Sequence, residues 1–192
     1  MKMAKKFLAV ALAGVLALSV LTGCGKSVKS KDIADALTKM GVKVEQSDEM
    51  DKTAEDTLKA IEAIINSETN TGADKVTLDN AVKVDGKVIE INNIVNDPNN
   101  AVKKALGMMS TGSPAETENN AKQVRVALVK TENAKKDASL QAALVKDGLI
   151  ATHVLILSTD KEIAETGKLG SAKTSDGKYI LVVIVNDVKA GA

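Results

Sequence analysis

The sequence predicts an α+β domain, with helices packed on a mostly antiparallel sheet. Three observations carry that reading. Apolar residues between Ser30 and Ile65 recur at helical steps of three and four. Two Asp-Gly pairs, Asp85-Gly86 and Asp176-Gly177, stand between short β-branched segments, as in hairpins. The run from Tyr179 to Val185 is almost continuously aliphatic, as in a strand covered on both faces.

The first helix is expected to start at Ser30, a good cap, and to stop at Gly41. Ile33, Leu37 and Met40 share its apolar face. The stretch GVKVEQSDEMD then leads to a longer helix with a buried stripe of Ala54, Leu58, Ile61 and Ile65. Residues 66–74 are a polar loop. Val82 and Val84 before Asp85-Gly86, with Val88 and Ile89 after it, make a hairpin signal. NDPNN at 96–100 breaks the chain, and a short helix follows on Val102, Leu106 and Met109.

STGSPAETENN at 110–120 reads as a loop within one domain. Residues 121–130 fit both periods, and β-branched content favours a strand over 123–129. Residues 134–146 read as a helix, with Leu140, Ala143 and Leu144 on one side. LIATHVLIL at 149–157 reads as a strand buried on both faces, followed by the polar segment STDKEIAET. The last two strands meet at Asp176-Gly177. The final one should lie centrally, because an exposed edge of that composition invites aggregation.

The front of the chain has a different organisation. Lys2, Lys5 and Lys6 precede an uncharged run from Phe7 to Leu21, then small residues and Cys24. That is the layout of a secretory signal over residues 1–23. At about 1.5 Å per residue the run is short for a bilayer core of roughly 30 Å. Leu21-Thr22-Gly23-Cys24 resembles the lipobox of bacterial lipoproteins. The resemblance implies that the Cys24 thiol receives a diacylglyceryl group and that cleavage makes Cys24 the first mature residue. Residues 24–29 would then be a lipidated tether, and 30–192 the domain. As the only cysteine, Cys24 forms no internal disulfide.

Composition narrows the function. The chain has 26 lysines and arginines against 25 acids, and loss of Lys2, Lys5 and Lys6 leaves a net charge near −2. That speaks against a nucleic-acid partner. Tyr179 is the one aromatic residue beyond the signal, which counts against sugar grooves and stacking platforms. His153 is the only histidine, so a zinc site of several histidines has no ligands. A nucleophilic serine could be activated by histidine only through His153, and no G-x-S-x-G elbow is present. A core or sheet-edge role for His153 is favoured over a catalytic one. Asp48, Glu49, Asp51, Glu55 and Asp56 cluster at a helix start, where the helix dipole favours them without any cation. No phosphate-binding glycine loop occurs, and neither a cofactor nor a metal is expected.

The segment THVLIL, a polar spacer and LGSAKTSDGKYILVVIV resemble the end of the CAP (SCP-like) secretory domain. The matching positions are His153, Gly170, Ala172, Asp176-Gly177 and Tyr179 to Val185. GVKVEQSDEMDKTAEDTLKAIEA is similar to that family's first helix and its extended lead. The resemblance implies an α-β-α sandwich. The family's usual cavity holds two histidines with acidic partners, whereas this chain offers His153 alone. The resemblance therefore implies a fold, not an activity.

The function expected from these readings is a lipoprotein on the extracytoplasmic face of a cell membrane. It is held there through Cys24 and binds a protein, peptide or envelope component without catalysis. A cell-envelope hydrolase using His153 is the alternative, and a small solute-binding lipoprotein comes third.

Overall fold

The computed structural model describes residues 28–72, 75–81, 101–106, 122–132, 134, 136–154 and 161–190. Helix α1 (Ser30–Lys39) opens the described chain. Ser30 is its first helical residue, and the cap position falls to Lys29. The Asp32 carboxylate reaches back to accept the Lys29 amide at 2.9 Å, which satisfies a donor the helix leaves open. Gly41 ends the turn with φ +87°, a conformation that favours glycine. Val28 is already buried, so packing begins inside the stretch read as a tether.

The lead after Gly41 contains a short strand, β1 (Val44–Gln46), and α2 (Asp48–Ile65) follows. Short helices α3 (Leu78–Ala81) and α4 (Ala101–Ala105) come next, then β2 (Lys122–Lys130) and α5 (Ala138–Gly148). The chain continues through β3 (Ile150–Val154), β4 (Lys161–Ile163), β5 (Gly167–Lys173) and β6 (Tyr179–Ala190). The sheet order is β1-β5-β6-β2-β3, with β4 paired to the end of β6. Among the described residues only the β1–β5 pair is parallel, so the sheet is mostly antiparallel as expected.

Strand β6 lies between β5 and β2, and its aliphatic run is covered on both faces. Alternation divides it. Tyr179, Leu181, Val183 and Val185 join Val124, Val126 and Leu128 of β2 under α2 and α4. Ile180, Val182 and Ile184 join Ala127, Val129 and Leu169 under α1 and α5. The two clusters make an α-β-α sandwich, because a sheet apolar on both faces must bury both.

Three expectations need correction. The polar segment after 157 is not wholly irregular, since β4 forms within it and pairs with Val188–Ala190. Ile163, within β4, is paired with Val188. Helix α5 starts at Ala138, capped by the Asp137 carboxylate on the Ser139 and Leu140 amides. It buries the opposite face from the one expected: Ala142, Val145 and Gln141 are buried, while Leu144 is 40% exposed. Small residues let α5 pack closely against α1, and Gln141 donates to the Ala134 carbonyl at 2.8 Å.

Other expectations hold. The strand over 123–129, the stripe Ala54, Leu58 and Ile61, and the turn at Asp176-Gly177 are present. Gly177 has φ +66°, and the Asp176 carboxylate accepts the Thr174 hydroxyl and the Lys178 amide. A strand does form within LIATHVLIL, as β3 at the end of the sheet order among the described residues, while its expected burial on both faces lies outside them. The hairpin at Asp85-Gly86, NDPNN, Met109, the 110–120 loop and residues 155–157 lie outside the described residues.

Candidate functional site

An open cleft of about 470 Å³ lies where the first turns of α1 and α2 meet the edge of β5. Strand lengths create it. β1 ends at Gln46, opposite Leu169, so Gly170 to Lys173 lack a strand neighbour on that side. The Asp51 side chain stands in for the missing strand, and its Oδ1 accepts the Ser171 amide at 2.9 Å. Gln46 Nε2 ties the start of α2 together, donating to Asp48 Oδ1 at 2.9 Å and Asp51 Oδ2 at 2.8 Å.

Ser171 and Lys173 alternate onto one face of β5. There the Ser171 and Ser30 hydroxyls lie 2.6 Å apart. Lys173 Nζ donates to the Val28 carbonyl at 2.6 Å. Burial lowers the Lys173 pKa below the ordinary lysine value, against a weaker opposing pull from Asp32. Lys29 caps α1, Lys31 lies in its first turn and Lys173 in β5, while Asp48, Asp51 and Glu55 come from α2. Among the described residues no ion pair joins the two groups, and Lys31 turns away to Asp35 at 3.4 Å.

Asp48, Asp51 and Glu55 of the acidic cluster therefore border this cleft, and Asp48 and Asp51 also sit in the first turn of α2, where the helix dipole favours them. His153 lies on β3, three strands from β5 in the sheet order. It pairs with Val124 of β2, next to a bulge between Val124 and Arg125. Its side chain, like Cys24, lies outside the described residues. Among the described residues no group of three or more His, Cys, Asp or Glu is placed to hold a metal ion. No described helix is long and apolar enough to cross a membrane. Sequence reasoning missed Ser30, Ser171 and Lys173 as neighbours, because 141 residues separate the two serines.

Tyr179 sits elsewhere, beneath α3. Its ring is buried, Lys130 Nζ lies 5.9 Å from the ring centroid, and its hydroxyl is bonded to Asp79. Burial first, and then Asp79, push its pKa up to about 12. A raised phenol pKa stabilises the fold below the unfolded value near 10, and that contribution is lost as pH rises from about 10 to 12. Tyrosinate absorbance should therefore titrate near 12, and Asp79→Ala should lower the midpoint only part of the way, since burial remains. A wild-type midpoint at 10 would contradict the buried, bonded phenol.

Comparison with protein-family models, with curated proteins and with solved structures found no match.

Proposed function

We propose that the chain is a lipid-anchored, extracytoplasmic lipoprotein whose domain binds a partner rather than transforming one. The carrying observation joins sequence to fold: Cys24, at the end of a lipobox-like stretch, stands four residues before Val28. Val28, the first described residue, is packed into the core, 6% exposed and with its carbonyl held by Lys173. Four extended residues span at most about 14 Å, so an acylated Cys24 holds the domain against the bilayer surface. Two or more acyl chains anchor stably, at about 0.8 kcal/mol for each buried CH₂. The cleft beside Val28 supports recognition as the task, because it offers lysines, carboxylates and hydroxyls around open space.

Palmitate labelling tests the anchor. Wild-type chain should incorporate label and fractionate with membranes, and Cys24→Ala should do neither. An unmodified thiol at Cys24 in the wild-type product overturns the proposal.

A further inference from the structure

We propose that the cleft between α1, α2 and β5 binds an aminoalkyl phosphate: a primary ammonium joined by a short linker to a phosphate, as in phosphoethanolamine. Its two charged groups are kept apart. Lys173 has three donors and spends one on the Val28 carbonyl, with no carboxylate paired to it. The carboxylates of Asp48 and Asp51 meet an amide, Gln46, and not a lysine. Glu55 borders the same space. A bare anion placed here meets the carboxylates, and a bare cation meets the lysines. A molecule carrying both charges satisfies both, its oxyanion toward Lys173 and the serines, its ammonium toward α2.

The donor set favours phosphate over carboxylate. The Ser30 and Ser171 hydroxyls, 2.6 Å apart, bond to each other, which uses one of their two O–H groups and leaves one hydroxyl donor beside the two remaining donors of Lys173 on the lining of the same cleft. Phosphate has the oxygens to accept all three, and charge-assisted bonds of this kind are the strong ones. The volume, about 470 Å³, lies in the range of small-molecule sites. Two sources share the chemistry: a lipid headgroup and a free aminoalkyl phosphate. The headgroup source rests on the proposed acylation of Cys24, which brings the cleft to the bilayer surface. The free source does not.

Calorimetric titration of the full chain with phosphoethanolamine tests the cleft. Saturable binding is expected. Lys173→Met should weaken it roughly tenfold or more, and Glu55→Gln, at an exposed position, should weaken it measurably without risk to the fold. Inorganic phosphate and ethanolamine should each bind more weakly than the joined molecule. The proposal is overturned by absence of saturable binding, by unchanged affinity in both variants, or by phosphate alone binding as tightly. Vesicles separate the sources, using the chain carrying Cys24→Ser so that no acyl group retains it. Retention on phosphatidylethanolamine vesicles, released by free phosphoethanolamine, identifies the headgroup. Binding of the free molecule without retention identifies the soluble source. The mass of the wild-type chain reports acylation independently, so failure of the anchor and failure of the cleft are told apart.

Discussion

Gly170→Ala is expected to destabilise the domain by roughly 3 kcal/mol or more, read as a fall in the urea midpoint. A Cβ at this position falls 1.9 Å from the Met50 carbonyl carbon, 2.0 Å from its oxygen and 2.2 Å from the Asp51 nitrogen. All three are backbone atoms, so no side chain can rotate to make room. α2 must lift off β5, and two contacts that seat it go with it: Ser47 N to the Leu169 carbonyl, and the Ser171 amide to Asp51 Oδ1, each 2.9 Å. The second forms part of the cleft, so the same substitution should also disturb the site. Gly41→Ala is the control. Gly41 has φ +87° with nothing within 4 Å of an added Cβ, so only left-handed strain of about 1–2 kcal/mol is expected. Equal losses in the two variants would mean that close approach of α2 is not what Gly170 provides.

That close approach has a sequence signal of a general kind, since glycine inside a strand often marks a neighbouring backbone. What sequence cannot say is which backbone. The same boundary runs through the whole fold. Tyr179 to Val185 declares a central strand because both of its alternating sets are apolar, aliphatic throughout from Ile180 on, and both sets are buried. α2 declares its stripe because charges fill its other faces. α5 does not, because Leu140, Ala143 and Leu144 compete with Ala142 and Val145, and size was the wrong guide: the small residues pack and Leu144 faces out. β4 was missed because its pairing partner, Val188–Ala190, lies outside any local pattern. The cleft was illegible for the same reason. Lys173 and one serine sit on β5, the other serine opens α1, and only the early stop of β1 brings them to a common space.

The only arginine of the chain gives a sharper case of a residue defined by its fold. Arg125 lies half-buried on the α1 and α5 side of β2, level with Ile184. Burial depresses its pKa, its Nη2 donates to Asn186 Oδ1 at 3.0 Å, and its Nε is buried without a partner. Asn186 is itself buried and passes its other amide end to the Ala164 carbonyl at 2.8 Å. One amide thus serves a guanidinium and the loop that carries the chain from β4 into β5. Asn186→Ala should therefore cost about 3 kcal/mol: two hydrogen bonds go, and a half-buried cation loses its acceptor. Arg125→Met should cost only about 1 kcal/mol, because it removes the group that needs solvation along with the bond. In the double variant the charge that made the alanine expensive is gone. The two effects should then fall short of their sum by about 1–2 kcal/mol in a denaturation cycle. Additivity within about 0.5 kcal/mol would show that Asn186 acts through Ala164 alone. Arg125 would then be a tolerated half-buried cation rather than one this amide exists to hold.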